Sequence, residues 1–439
     1  MSKQVMTAAQ TSPQAEPRQA SATKYVVASL IGNSLEWYDF FLYATASAVV
    51  FNVLMFPAGT DPLVGALGAY AGLAVGFVAR PLGGVIFGHI GDKVSRKTSL
   101  IITLVVMGLA STAMGLLPTY ASIGIAAPII LVLLRVAQGI AAGGEWGGAV
   151  LLISENSSQK RRGMLAAFSQ SGVSLGFVTS ALAFYAVKQL PEEQFLTWGW
   201  RLPFLFSIVL LIVGLYIRRS LPEETADEAE TVAVDNERIP MVEAFRRFPG
   251  QMFAAMGMRI AENGGSYIFM TFSVVYGKHV GVDDSLLLLM LAITMTLSFF
   301  SFVFFGHLSD VVGRRRVYAF GAVGMIVVAA PFFSLIETGS VPLMLLGFVL
   351  ALCVCHGAMI GTQPSLFHEL FPAEVRYSAI SIAHEVASVF AGGIAPMIAT
   401  ALLLKYDSPL PIVIYLIVMC LITLVSVLVS RKYSFEVKG

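Results

Sequence analysis

The sequence is poor in charged residues and in cysteine. Of its 439 residues, 13% are Asp, Glu, Lys or Arg, against about 25% in an ordinary soluble protein. The formal net charge is only +1, so the chain offers no basic surface for nucleic acid. The three cysteines, at 353, 355 and 420, all lie in apolar runs, which indicates neither a disulfide framework nor a zinc site. With 56% hydrophobic residues, these absences exclude a soluble enzyme, a disordered protein and a nucleic-acid binder, and predict a polytopic membrane protein.

Long apolar runs predict an all-α protein with twelve transmembrane helices, since each crossing needs about 20 mainly apolar residues. The predicted spans are 25–52, 64–90, 98–117, 124–153, 163–187, 201–219, 251–277, 285–308, 316–337, 342–367, 377–404 and 410–430. Residues 1–24 are rich in Ala, Gln, Ser, Thr and Pro, so we expect a disordered cytoplasmic tail. A full-length span follows this tail, which is not the pattern of a cleavable signal peptide.

Lys and Arg concentrate in alternate loops, which sets the expected orientation. With the N-terminus inside, the inner loops receive most of these residues, among them 93–97, 160–162 and 314–316. The outer side receives only Lys188, Arg201, Lys278 and Lys405. The sequence therefore predicts a multi-pass protein of the bacterial inner membrane with both termini in the cytoplasm.

The chain repeats itself at an interval of nearly half its length. GHIGDKVSRK at 88–97 follows the second predicted span, and GHLSDVVGRR at 306–315 follows the eighth, 218 residues later. A second repeat places Glu and Arg seven residues apart, at 155 and 162 and again, 214 residues later, at 369 and 376. The repeats predict two parallel six-helix bundles, 25–219 and 251–430, joined by a cytoplasmic linker at 220–250 and followed by a cytoplasmic tail at 431–439. In such a protein the substrate site lies between the two bundles near the membrane midplane.

The repeated loops resemble the G-x-x-x-D-R-x-G-R-R/K signature of the major facilitator superfamily, although the first copy departs from it at Lys93 and Ser95. Three further segments are similar to the metabolite:proton symporter branch: GNSLEWYDF at 32–40, ARPLGG at 79–84 and RVAQGIAAGGEWG at 135–147. The resemblance covers about residues 25–430. It implies a twelve-helix carrier that moves organic acids such as shikimate, α-ketoglutarate and citrate, or osmolytes such as proline and betaine, with protons.

Ionisable residues inside the predicted spans are the candidate proton-coupling groups, because each is costly to bury in a bilayer. Glu36 and Asp39 share a face near the middle of span one, and repulsion between two such carboxylates favours proton binding by one of them. A permanent ion pair that locks helices together is the alternative. We expect Arg135 of span four to face one of these carboxylates, and to hold a substrate carboxylate once that group is protonated. Glu145, nearer the cytoplasm, is either a second proton site or a gating residue.

Candidate substrate ligands lie on four spans. Besides Arg135 they are Arg80, Gln138, Arg259, Asn263, His384 and Glu385. By resemblance, Arg80 belongs to an R-P-x-G motif and either contacts substrate or pairs with an inward acidic group. Arg259 can also pair with Glu262 on its own helix, and His384-Glu385, which departs from the branch, is either part of the site or packed. Gly139, Gly143 and Gly147 form a G-x-x-x-G series, which predicts close approach to a neighbouring helix.

Charged residues in the repeated inner loops are candidate gating groups. The expected pairs are Asp92 with Arg96, Glu155 with Arg162, Asp310 with Arg314, and Glu369 with Arg376. By resemblance these pairs close the inner side when the carrier opens outward. The alternative is that they only set the topology, which accounts for the arginines but not for the repeated acidic residues.

Several other functions fit the sequence less well. An ATP-driven pump would need a P-loop, and the string nearest to one lacks the second glycine and the preceding strand. Span five lacks the proline-containing glycine motif of drug antiporters, and no nucleophile constellation or metal cluster suggests an enzyme. The sequence thus predicts a symporter that imports a small organic acid with protons, without cofactor or metal and as a monomer. A proton-coupled osmolyte importer is the main alternative, and a uniporter stays open.

Overall fold

The computed structural model describes residues 19–93, 96–143, 161–219, 245–372 and 376–433. Within these ranges it contains no β-strand. The N-terminal half has six long helices: α1 (Gln19–Ala46, continuing through Ser47–Phe51 and Asn52–Leu54), α2 (Pro62–Lys93), α3 (Arg96–Leu116), α4 (Ala126–Ala142), α5 (Arg162–Lys188) and α6 (Arg201–Arg219).

The C-terminal half repeats this arrangement. Its helices are α7 (Pro249–Tyr267, continuing through Ile268–Phe272 and Ser273–His279), α8 (Asp284–Val312), α9 (Arg314–Glu337), α10 (Val341–Phe348, Val349–His356 and Gly357–Leu370), α11 (Arg376–Ser388, Val389–Gly393 and Ala395–Tyr406) and α12 (Leu410–Ser430). Three of these helices contain π-helical turns, at Ile268–Phe272, Val349–His356 and Val389–Gly393. Pro81 lies within α2 without interrupting it.

The twelve helices confirm the fold predicted from the apolar runs. Eight of the described helices are long and apolar enough to cross a membrane, and a ninth span results if the bent pair Glu192–Gly199 and Arg201–Tyr216 counts as one. The apolar parts of α3 and α4 are shorter, and α7 carries polar residues in its middle. Helix α1 begins at Gln19, so 19–24 are helical rather than the disordered tail that was expected. Residues 144–153 of predicted span four and 220–244 of the linker lie outside the described residues.

Glycines bring α2 and α4 into backbone contact. A methyl group on Gly139 would lie 2.0 Å from the Gly76 carbonyl oxygen, and one on Gly143 would lie 1.8 Å from that of Arg80. From the other helix, a methyl group on Gly83 would lie 1.9 Å from a carbonyl oxygen of α4. Only glycine permits this approach. The predicted close packing is therefore confirmed for Gly139 and Gly143, whereas Gly147 lies outside the described residues.

The two halves pack against each other along α5 and α8 and along α2 and α11. Ser171 donates a hydrogen bond to the Phe299 carbonyl, 3.1 Å away, and a methyl group on Gly393 would lie 2.8 Å from Phe77 Cβ. Between these contacts, the Tyr267 ring of α7 packs against aromatic rings of the N-terminal half, 5.4 Å from the Phe77 centroid. The interface is therefore tightly packed in the middle of the molecule.

Contacts between the halves close both ends of the bundle. At the end where α1 begins and α12 ends, the predicted cytoplasmic end, Asp310 of α8 binds the first turn of α5. At the opposite end, the Lys188 ammonium lies 3.4 Å from an Asp284 carboxylate oxygen, and the Tyr70 hydroxyl donates to the Thr271 carbonyl at 3.3 Å. The structure therefore represents a closed arrangement of the two halves.

Candidate substrate and proton site

A small cavity lies between the halves. It is lined by Trp37, Phe41, Gln170, Val173, Arg259, Glu262, Asn263, Ser266, Tyr267, Met270, His356, Ile360 and His384. Its volume of about 20 Å³ accommodates about one water molecule, since a site for one water needs at least about 10–15 Å³. A small organic acid does not fit, so the halves must separate before a substrate of that size can bind.

Arg259 donates hydrogen bonds to three neighbouring side chains. Its Nη1 donates to Glu262 Oε2 at 2.6 Å and to Gln363 Oε1 at 2.7 Å, and its Nε donates to Ser388 Oγ at 3.0 Å. His356 Nε2 lies 3.3 Å from the other Glu262 oxygen. The possible pairing of Arg259 with Glu262 is thus observed, and it compensates the arginine charge in the closed state. Gln363 is not among the residues predicted from the sequence. A polar residue beside a proline, Pro364, in an otherwise apolar span was the signal that could have identified it.

Three polar atoms of residues that line the cavity lack a hydrogen-bond partner within the described part of the chain. They are Asn263 Oδ1, the Tyr267 hydroxyl and His356 Nδ1. All three residues are at most 3% exposed. Buried polar groups are normally paired with protein or water, so these atoms are the ones that a bound ligand or water would satisfy. Tyr267 was also missed, because a tyrosine within a membrane-spanning helix carries no distinctive signal.

Arg80 connects the two halves. Its Nη2 lies 3.6 Å from Glu36 Oε1 of α1, and its Nη1 lies 3.7 Å from Glu385 Oε2 of α11. His384 Nδ1 lies 2.9 Å from the other Glu385 oxygen. The Arg80 guanidinium also lies over the Phe40 ring, 4.6 Å from its centroid. One cation is therefore shared by a carboxylate of its own half and a carboxylate of the opposite half.

Arg135 was expected to face Asp39 or Glu36. Glu36 lies beside Arg80, whereas Arg135 is a charged neighbour of Asp39. Arg135 donates from Nη1 to Gln138 Oε1 at 2.9 Å, and its guanidinium lies 4.0 Å from the Phe40 centroid. Gln138 in turn donates to Ser111 Oγ of α3 at 2.7 Å. Arg135 and Gln138 are fully buried and neither lines the cavity in this closed arrangement.

Asp39 lies inside the N-terminal half rather than at the interface. It accepts a hydrogen bond from Ser207 Oγ of α6 at 2.5 Å, and Ser111 also lies close to its carboxylate. The charge of Arg135 also acts on this carboxylate. Residues three apart diverge by about 60° around a helix, which lets Glu36 face α2 while Asp39 faces α3 and α6. The two carboxylates therefore have different partners, contrary to the expected shared site.

The predicted gating residue Asp310 binds the start of α5 across the interface. Its Oδ1 accepts from the Gly163 amide at 3.0 Å, and its Oδ2 accepts from the Met164 amide at 3.1 Å. Arg314 Nη2 lies 3.3 Å from Oδ1, as expected for this pair. The carboxylate satisfies amides that lack partners within their own helix and lies at the positive end of the helix dipole.

The expected pair of Glu369 with Arg376 is replaced by another. Glu369 forms an ion pair with Arg314, whereas Arg376 Nε donates to the Phe371 carbonyl at 3.0 Å. The reason is that Arg376, at the start of α11, lies beside the carbonyl of Phe371, the residue at the C-terminal cap of α10, which the ending helix leaves unsatisfied.

The remaining predicted gating and coupling residues are only partly described. Glu145 and Glu155 lie outside the described residues, and so do the side chains of Asp92 and Arg96. Arg162, at the start of α5, has Nη1 3.5 Å from Nδ1 of a histidine on α10.

Sequence comparison identifies relatives along nearly the whole chain. The sequence profile of the Major Facilitator Superfamily matches residues 30–396 and also 247–437. The Shikimate transporter of Escherichia coli (strain K12) is 38% identical over 419 residues, which cover 93% of this chain and 94% of that protein. The Proline/betaine transporter of Salmonella typhimurium (strain LT2) is 34% identical over 415 residues, which cover 92% of this chain and 82% of that protein.

A solved structure of the proton:xylose symporter XylE bound to 6-bromo-6-deoxy-D-glucose has a TM-score of 0.73 against this chain. The match covers 94% of this chain and 96% of that one at 16% identity, so the likeness concerns the fold. Together with the apolar helices, these matches identify a multi-pass inner-membrane transporter and not an enzyme. The protein belongs to the major facilitator superfamily.

Proposed function

We propose that this transporter imports a small organic acid together with protons by alternating access. The observation that carries the proposal is Arg80, buried between a carboxylate of each half beside a cavity at their interface. A guanidinium in that position suits a substrate carboxylate, which it can bind through two parallel hydrogen bonds. Both relatives described above are named for small molecules that bear a carboxylate, namely shikimate and proline or betaine.

The polar atoms around the cavity favour an acid with hydroxyl groups over a betaine. Asn263 Oδ1 can only accept a hydrogen bond, while the Tyr267 hydroxyl can donate or accept. A hydroxylated acid offers both donors and acceptors to these groups. A quaternary ammonium offers no N–H donor and would leave Asn263 Oδ1 unpaired, which is costly in a buried site. The shikimate relative agrees with this preference, and a proton-coupled osmolyte importer remains the second candidate because of the proline/betaine relatives.

The charge balance in the middle of the bundle favours proton coupling. The described part of this region contains three guanidinium groups and four carboxylates: Arg80, Arg135, Arg259, Glu36, Asp39, Glu262 and Glu385. With all of them ionised, one negative charge is left over in a medium where uncompensated charge is expensive. A proton that enters together with a substrate carboxylate keeps that excess from growing. A uniporter would have no need for a group that binds and releases a proton.

Alternating access requires the closed ends to open one at a time. At the predicted cytoplasmic end the contact of Asp310 with α5 would break when the carrier opens inward. At the other end the contact of Lys188 with Asp284 would break when it opens outward. Both contacts join the two halves, so the loss of either contact would indicate that the carrier has opened at that end.

The test is uptake by the purified protein in liposomes. We expect labelled shikimate to accumulate above its outside concentration when the outside is more acidic than the inside, and only to equilibrate when the gradient is collapsed. Parallel assays use citrate, proline and betaine. Accumulation of betaine but of neither acid would favour the osmolyte importer, and uptake that ignores the pH gradient would favour a uniporter.

A further inference from the structure

The two oxygens of the Glu385 carboxylate have unequal surroundings. Oε1 lies 2.9 Å from His384 Nδ1. Oε2 lies 3.7 Å from Arg80 Nη1, which is longer than a hydrogen bond, and it has no hydrogen-bond partner among the described residues. The residue is only 4% exposed. Among the described residues this oxygen has only the longer contact with Arg80, so it is the Glu385 oxygen available to accept a proton.

We propose that Glu385 carries the transported proton, and that in the empty carrier it occupies the position on Arg80 that the substrate carboxylate takes in the loaded carrier. The inference rests on the proposed function and specifies how proton and acid are coupled there. Protonation forms an O–H bond on Glu385, and the proton leaves from the same oxygen on the other side of the membrane. Arg80 keeps its charge throughout.

The position of Arg80 on the interface makes the exchange possible. Glu36 belongs to the same half as Arg80 and moves with it, whereas Glu385 belongs to the opposite half. Separation of the halves at either end therefore pulls Glu385 away from Arg80 and leaves the contact with Glu36 in place. The same movement widens the cavity next to them, because that cavity is lined by Trp37, whose ring centroid is 5.6 Å from the Arg80 guanidinium, and by His384.

The neighbouring charges single out Arg80 as the exchange point. Among the described residues, the charged or titratable groups around Glu385 are Arg80 from α2, His384 beside it on α11, and Arg259 from α7. Arg259 is already paired with Glu262 on its own helix at 2.6 Å. Arg80 is the cation that two carboxylates share, and one of them can be released without leaving the guanidinium alone.

The number of negative charges around Arg80 then explains why proton and substrate are transported together. In the empty carrier Arg80 is flanked by Glu36 and Glu385. In the loaded carrier it is flanked by Glu36 and the substrate carboxylate, while Glu385 is neutral. The substrate without a proton would bring a third carboxylate to one guanidinium and oppose closure. The scheme therefore requires one proton for each substrate carboxylate.

The experiment compares the wild-type protein with Glu385→Gln, which imitates the protonated carboxyl group. Shikimate is the probe, in liposomes that contain the full chain. For the wild type we expect accumulation of up to about tenfold for each unit of pH gradient, the limit for one proton per monoanion. For the variant we expect the accumulation ratio to fall to about one, while exchange of labelled for unlabelled shikimate continues and no longer depends on pH.

The matched control is Glu337→Gln, which makes the same change at an exposed carboxylate. Glu337 is the last residue of α9 and accepts a hydrogen bond from the Tyr276 hydroxyl. This control should accumulate shikimate like the wild type. A second measurement needs no variant: binding of shikimate to the detergent-solubilised wild type should take up one proton from a weakly buffered solution containing a pH indicator.

The outcomes separate this inference from the proposed function. If Glu385→Gln accumulates shikimate as well as the wild type does, Glu385 does not carry the proton, although the proposed function still holds. The same conclusion follows if the wild type binds shikimate without taking up a proton. Failure of the wild type itself to accumulate shikimate or the other acids would overturn the proposed function, and this inference with it. Continued exchange by the variant shows that the protein is folded.

Discussion

Replacing Asp310 by asparagine is expected to weaken the closure at the predicted cytoplasmic end. The carboxylate accepts hydrogen bonds from the amides of Gly163 and Met164, at 3.0 Å and 3.1 Å, and its side chain is only 3% exposed. Asparagine keeps one acceptor oxygen but presents an NH₂ group to the second amide. It also removes the negative charge from the start of α5.

The magnitude follows from these contacts. A hydrogen bond to a charged group contributes about 1.5–3 kcal/mol, against about 0.5–1.5 kcal/mol for a neutral one. The favourable interaction of a carboxylate with the helix dipole adds about 0.3–1 kcal/mol. Glu369 continues to pair with Arg314 in the variant, so part of the local network persists. We therefore expect closure to weaken by about 1–2 kcal/mol, which is about 5- to 30-fold in the ratio of closed to open forms.

Hydrogen–deuterium exchange measures this ratio at the amides concerned. A peptide that contains Gly163 and Met164 should exchange about 5- to 30-fold faster in Asp310→Asn than in the wild type. The matched control is Asp283→Asn, because Asp283 caps the start of α8 within one half by accepting from the Leu286 amide at 3.0 Å. Asparagine caps helices about as well as aspartate, so this control should leave the exchange at α5 unchanged. Equal protection of the peptide in wild type and Asp310→Asn would refute the role of Asp310 in closure.

Three further substitutions test the packing and the site. Ser207→Ala removes the hydrogen bond to buried Asp39, so it should destabilise the protein by about 1.5–3 kcal/mol and lower its Tm in detergent. Gly139→Ala places a methyl group 2.0 Å from the Gly76 carbonyl oxygen, and the resulting overpacking should cost about 1–3 kcal/mol, again measured by thermal unfolding. Tyr267→Phe removes a hydroxyl that has no partner among the described residues. It should leave Tm unchanged while the affinity for shikimate, measured by calorimetry, falls about 2- to 13-fold.

The first two of these substitutions have controls in the same chain. Thr179→Ala removes an exposed hydroxyl that bonds only to its own helix, so a Tm loss as large as that of Ser207→Ala would contradict the first prediction. Gly84→Ala meets its nearest atom at 3.3 Å and should be milder than Gly139→Ala. If Tyr267→Phe binds shikimate as tightly as the wild type does, the Tyr267 hydroxyl does not contact the substrate.

The helices and their contacts were predictable where a local pattern determines them. Apolar runs fix the spans because the bilayer core demands their length, and the Gly139 and Gly143 series fixes the approach of α4 to a neighbour because only glycine permits it. The pairs Asp310–Arg314 and Arg259–Glu262 were also predictable from the sequence, because their members lie three or four residues apart on one helix. Such features depend on neighbours in sequence.

The partners across helices were not predictable in the same way. Glu36 and Asp39 share one helix face in the sequence, yet a difference of about 60° in direction sends them to different helices. The choice of Arg80 over Arg135 as the partner of Glu36 depends on how α2 and α4 are rotated about their axes. Tyr267 and Gln363 are uncharged and had no distinctive spacing. These features depend on packing between distant segments.

The π-helical turns of α7 and α10 contribute Met270 and His356 to the cavity lining, whereas that of α1, Ser47–Phe51, contributes no lining residue. Those in α7, α10 and α11 follow Tyr267, end at His356 and follow Ser388, and thus flank the C-terminal wall. A π turn holds one residue more than an α turn, so its conversion to α geometry slips the adjoining segment by one register position, a rotation of about 100° and a rise of about 1.5 Å. Such a conversion would re-aim the side chains of the C-terminal wall towards an incoming molecule.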